Sequence, residues 1–342
     1  MPVLPDRGRT RRACCLAASV LMAAVLAGCN GSGGEDAGAA RLRHVGLMHV
    51  GTDHVPSSWP ALKARLAELG WIDGKNIELI WKNLEPDAAD AQATAFVLQR
   101  VDVIVAFEDT SIAAAQKATK GMKHPTPIVF LHPSDPVRDG LVASLSRPGR
   151  NLTGVYGPRD IVAKQLELYQ LLVPKLRRVL TLVDPENAPT KRLLPQYKAA
   201  AAHLQRPLEL DIRKASNAAD LRRIFRSLRP GEVDGAFLLS PNLRLNNSAL
   251  TIRLAKQAAI PVQAHRKEWV EQGALYSYGI DLVPIGREGA RYVDSILRGA
   301  SPSNLPVDEL RKVEFAINLK TAARLGIKVP QDMIIQANEV YR

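Results

Sequence analysis

The sequence predicts an α/β chain built as two similar lobes, each with a parallel sheet, joined by more than one strand passage. Three observations carry this. Short β-branched runs alternate with longer helical patterns, and parallel strands need a crossover connection that a helix supplies. The alternation runs once and then starts again near residue 177. The two series also keep register: Val101-Asp102 is answered by Val233-Asp234, and Pro127 by Pro261. Side-chain identity between them is slight, so what repeats is architecture.

In the first series, 44–50 reads as a buried strand and 59–69 as a helix with Leu62, Leu66 and Leu69 on one face. Alternation makes 76–82 a half-buried strand. An Ala-rich helix follows at 87–100, then a strand at 101–107, a helix at 110–120 and a strand at 126–131. The second series places strands at 177–183, 208–212, 233–239 and 260–264. Helices separate them at 193–204, 218–228 and 245–258. Beyond Ala264 the order loosens: a strand at 274–278 that crosses between lobes, and a helix at 285–297 stopped by Gly299 and Pro302. A strand at 312–317, a short helix at 320–325 and a last turn from Pro330 complete the chain. Several strands running between two lobes make a hinge.

The amino terminus reads as an export signal. Arg7, Arg9, Arg11 and Arg12 precede an apolar stretch, 13–26, that is too short for a comfortable membrane span. It ends in Leu26-Ala27-Gly28-Cys29, which resembles a bacterial lipobox; an ordinary cleaved signal with an incidental Cys29 is the alternative. Residues 1–28 are thus read as signal peptide and 29–42, rich in Gly and Ser, as a flexible tether. A lipid on Cys29 is expected to hold the protein to a bacterial membrane, on the periplasmic side or at the cell surface. No cysteine follows Cys29, which removes disulfides, thiol nucleophiles and thiolate metal sites.

Charge excludes less than it first suggests. The net charge of +12 falls to +9 once four arginines and Asp6 leave with the signal. The remaining basic residues, such as Arg222, Arg223, Arg226 and Arg229, lie between apolar positions on helix faces and form no stripe. A nucleic-acid partner needs a clustered footprint and a recognised module, so none is expected. A regulator built on the same core needs a helix-turn-helix ahead of it, where this chain has its signal and tether. The seven histidines are scattered, and nucleophile elbow and phosphate loop are both missing. Neither enzyme, metal nor cofactor is expected.

Several stretches match one family. They are 62–71 with Asp73-Gly74-Lys75-Asn76-Ile77, then Val101-Asp102-Val103-Ile104-Val105-Ala106. More specific are Ser134-Asp135-Pro136-Val137, 140–145 and Pro148-Gly149-Arg150-Asn151-Leu152-Thr153-Gly154, followed by 315–322 and Leu325-Gly326. Over about residues 44–340 the chain resembles the ABC transporter substrate-binding family, whose characterised members include tryptophan- and other aromatic-amino-acid-binding lipoproteins. The resemblance implies a type I periplasmic-binding fold: two Rossmann-like lobes that grip a small solute in the cleft between them. It also implies an ABC permease as membrane partner. The lobe boundaries expected are 43–155 with 279–303 for lobe 1, and 156–278 with 304–342 for lobe 2.

In open parallel sheets a ligand sits outside the carboxyl ends of the strands, where helix N-termini offer free N–H groups. In lobe 1 those loops carry Gly51, Thr52, Phe107, Glu108, Asp109, Thr110, His132, Ser134 and Asp135. In lobe 2 they carry Asp184, Asn187, Pro241 and Asn242; Tyr156 and Tyr278 lie near the crossings. Each also has a structural reading. Thr52 and Thr110 suit helix N-caps, Asp135-Pro136 suits a turn, His132 suits a packing role, and the tyrosines suit hinge packing. Glu108-Asp109 stands where family members often have a small, uncharged Gly-Thr-Pro-like run, which points to an amine or other cationic group on the ligand. After Leu239-Ser240, by contrast, Pro241-Asn242-Leu243 replaces the acidic residue that amino-acid-binding relatives commonly have. The expected function is a solute-binding lipoprotein of an ABC importer, closing by hinge motion on an amino acid or similar amine-bearing molecule. The alternative is a sensing receptor that presents the solute to a membrane signalling partner.

Overall fold

The computed structural model describes residues 41–51, 55–157 and 161–342. The expected signal peptide, Cys29, most of the tether and Thr52 lie outside them. From its amino end the described chain runs β1 (Arg43–Val50), α1 (Ser58–Glu68), β2 (Ile77–Leu84), α2 (Ala89–Leu98), β3 (Val103–Phe107), α3 (Glu108–Thr119), β4 (Ile128–Leu131) and β5 (Leu152–Tyr156). The second series is α4 (Val162–Leu172), β6 (Arg178–Val183), α5 (Ala188–His203), β7 (Glu209–Lys214), α6 (Ala218–Ser227), β8 (Gly235–Leu238), α7 (Pro241–Gln257), β9 (Gln263–Ala264), α8 (Lys267–Glu271) and β10 (Tyr276–Ile280). The tail adds α9 (Leu282–Leu297), β11 (Asp308–Glu309), β12 (Val313–Asn318), α10 (Leu319–Arg324), α11 (Gln331–Gln336) and β13 (Glu339–Tyr341).

Two lobes result. The first sheet has the order β11-β5-β4-β3-β1-β2, parallel throughout. The second joins β7-β6-β8 to β9-β10-β12-β13 through the bridge between Ala236 and Val262, and only its β10–β12 pair is antiparallel. Numbered within its own series, each lobe runs second, first, third, fourth, fifth, so the repeat read from the sequence is one of topology. The runs of β3 and β4 are buried at every position, as parallel strands covered by helices on both faces must be. Separate apolar clusters fill the two faces of each sheet.

The sequence reading left β5, α4 and α8 unassigned. Gly154 interrupts the β-branched pattern of β5, yet a Cβ there would lie 2.0 Å from the Phe130 carbonyl oxygen. The close approach of β4 and β5 therefore demands glycine. In α4 the buried set, Val162, Gln165, Leu166, Leu168, Tyr169, Gln170 and Leu172, is too broad for one clean stripe. Helix α8 is a single turn and has no period to detect.

Three segments pass side by side between the lobes: the chain leaving β5, the β10–α9 junction and the β11–β12 junction. Leu310 N–H donates to the Tyr156 carbonyl at 2.8 Å, and Asp281 N–H to the Lys312 carbonyl at 2.9 Å. The Lys312 ammonium adds an ion pair to Asp281 at 3.0 Å. This is the multi-strand hinge. Among the described residues no helix is long and apolar enough to cross a membrane.

Candidate functional site

A cavity of about 60 Å³ lies beside the hinge and is walled by both lobes. Lobe 1 contributes Glu108 from the end of β3 and His132 from the end of β4; lobe 2 contributes Gln165, Tyr197, Arg244, His265 and Arg266. Ile161, Val162, Leu193, Ile280 and Leu282 supply apolar surface. Glu108 and Arg266 form an ion pair across the lobes, their side chains only 9% and 8% exposed. The Arg266 guanidinium also lies over the Trp269 ring, 5.7 Å from its centre, a cation–π contact that holds its plane. Gln165 is fixed twice: its amide donates to the Tyr278 carbonyl at 2.7 Å and its oxygen accepts from Tyr197 at 2.8 Å. Arg244 donates to the Leu239 carbonyl at 3.2 Å and stands 3.5 Å from His265 Nε2.

The backbone at this site is strained. Glu108 has φ +65° and His132 φ +59°, two of only four described non-glycine residues in the left-handed region. Such conformations cost on the order of 1–3 kcal/mol and gather where function needs them. Glycine takes them freely, which gives a physical reason for the small Gly-containing run that the resemblance leads one to expect at Glu108-Asp109.

A family profile described as ABC transporter substrate binding protein matches residues 50–341. The chain belongs to this family. Similarity extends to a tyrosine-binding protein of Clostridioides difficile, 28% identical over 323 residues and 91% of each chain. A solved conserved domain protein from Vibrio cholerae O1 biovar El Tor is 28% identical, with TM-score 0.77 over 87% of this chain and 99% of that one. An ABC domain from Streptococcus pneumoniae in complex with L-Trp is 22% identical, with TM-score 0.74 and the same coverage, and shares the fold. The family is one of solute-binding proteins, and its members act outside the cytoplasm.

Against the substrate-binding family's cleft, the residues singled out from sequence separate into groups. Glu108 and His132 line the cavity beside the hinge. Asp109, Thr110 and Asn187 line a second groove between the lobes, about 580 Å³ in volume, beside the Asp139–Arg192 ion pair. Gly51 (φ +151°) abuts α7, where an added Cβ would stand 3.1 Å from Leu245 Cβ. The others make contacts within the protein. Phe107 packs edge-on to Trp81 at 5.3 Å. Ser134 donates N–H and hydroxyl to Asp109, turning that carboxylate away from the cavity. Asp135 accepts the Arg138 N–H at 3.0 Å, as in a turn. Asp184 accepts from Asn242 at 2.6 Å and Ser216 at 3.0 Å, and Pro241 opens α7. Tyr278 packs on Phe315 at 6.3 Å. At the crossing, burial followed by the Glu309 and Asp135 carboxylates raises the Tyr156 hydroxyl pKa.

Of the pair Glu108-Asp109 expected to face an amine, Asp109 accepts hydrogen bonds from Ser134 and Glu108 meets a guanidinium from the other lobe. The sequence reading missed Gln165, Tyr197, Arg244, His265 and Arg266. The cavity sits over β3 and β4 in lobe 1 and β9 and β10 in lobe 2, displaced toward the hinge from the point where strand order reverses. The ends of β9 and β10 were the available signal, since Ala264-His265-Arg266 follows a β run directly.

Proposed function

We propose that this protein is the solute receptor of an ABC importer, closing by hinge motion on a free amino acid and handing it to a membrane permease. One observation carries the reading: an ion pair that joins the lobes is buried in a cavity walled by both. Such a pair exists only while the lobes are shut, since parting them returns each charge to its own surface. The cavity volume of about 60 Å³ is far below the roughly 300–1,000 Å³ of a typical small-molecule site. A solute therefore enters by parting the lobes, and its contacts to both shift the balance back to the closed form. The likeness to a tyrosine-binding protein and to an L-Trp complex supports amino acids as the ligand class. A lipid on Cys29 would keep the receptor near its permease and raise its effective concentration there.

The lobes in this reading divide at 43–155 with 279–303 and at 156–278 with 304–342, the pairing of Asp308–Glu309 with β5 adding a short return to the first sheet. The test is small-angle scattering and thermal shift of the purified chain against a panel of L-amino acids. At least one is expected to compact the protein and raise its melting temperature by mass action. A panel that changes neither quantity overturns the reading.

A further inference from the structure

Resting on the reading of the cleft as an amino-acid site, we infer that Arg266 is the anchor for the solute's carboxylate, with Glu108 of the opposite lobe fixing the guanidinium. Arg266 is 7% exposed and lines the cavity. Its Nη2 is paired with Glu108 Oε1, while Nη1 is buried without a hydrogen-bond partner among the described residues. A charged donor left unpaired in the interior is costly. The site persists because a ligand oxygen completes it.

The chemistry selects a carboxylate. A guanidinium presents a planar set of N–H donors that matches two carboxylate oxygens. Trp269 beneath and Glu108 at the side remove the freedom that would otherwise be lost on binding. The arrangement also ties recognition to closure: Arg266 is oriented for the solute only when Glu108 has crossed from lobe 1 to meet it.

The experiment measures binding of the 20 common L-amino acids, each beside its primary carboxamide, by calorimetry on the full chain. Wild type, Arg266→Gln and the double variant Glu108→Gln with Arg266→Gln are compared; the double variant strands no buried charge and keeps the test valid if the single one folds poorly. Wild type should bind its amino acid at least about tenfold tighter than the amide, the worth of one charge-assisted hydrogen bond. In the variants that preference should shrink to within about twofold. Equal binding of acid and amide by wild type leaves the amino-acid reading standing and overturns this one, as does a preference that survives in both variants. Binding of no acid and no amide overturns both.

Discussion

Glu108→Gln separates closure from folding. Its carboxylate leaves lobe 1 at the end of β3 and meets Arg266 beyond β9, with both side chains under a tenth exposed. Removing one partner of a buried pair costs about 3–5 kcal/mol, chiefly because the other charge stays buried. Here that cost falls on the closed form alone. When the lobes part, Arg266 and Glu108 each regain water at the surface of their own lobe. Taking about 3 kcal/mol, the closed-to-open ratio falls on the order of 10²-fold, and a solute that needs the closed form loses affinity by up to the same factor. Scattering should show a larger radius of gyration without solute, while the denaturant midpoint stays close to wild type. Asp139→Asn is the internal comparison. Its cross-lobe partner Arg192 and Asp139 itself are 26% and 23% exposed, so the loss should be about 1 kcal/mol or less and vanish in high salt. A Glu108→Gln protein with unchanged radius and a lowered denaturant midpoint would refute the reasoning, because the pair would then hold the fold together and not the lobes.

Two further outcomes concern the α1–α9 packing that supports lobe 1. The Arg287 and Arg65 guanidinium groups draw the Glu68 pKa down to about 2 from 4.5. A carboxylate depressed in the folded state contributes stability above its unfolded pKa and loses it as pH falls through the folded one. Glu68→Gln should therefore lower the melting temperature at neutral pH, with the gap to wild type closing between about 4.5 and about 2; a gap independent of pH would exclude the ion pair as its source. Gly286→Ala would place a Cβ 2.0 Å from the Ser58 carbonyl oxygen, a backbone contact that no rotamer relieves. Overpacking of this kind costs about 1–3 kcal/mol, seen as a lower denaturant midpoint at unchanged slope; a neutral substitution would show that the helices part freely.

The sequence by itself determined the class of fold and its repetition. Buried parallel strands such as Val103–Phe107 and Ile128–Leu131 need unbroken apolar runs, and crossover helices must separate them, so local composition already carries the pattern. Strand order lies beyond that pattern, as do the strand at Leu152–Tyr156, whose Gly154 is explained by a neighbour rather than by propensity, and the one-turn helix at Lys267–Glu271. Of the cavity wall, Glu108 and His132 stand out in the sequence as polar residues at strand ends, whereas Arg266 lies 158 positions from Glu108. Only tertiary structure decides that those two charges meet, because hinge geometry, and no spacing along the chain, sets which strand end of one lobe faces which of the other. The same contact reassigns Glu108 from a free counter-charge for an amine to half of a buried ion pair. A carboxylate's role depends on the charge it is buried against, and that charge arrives from the opposite lobe.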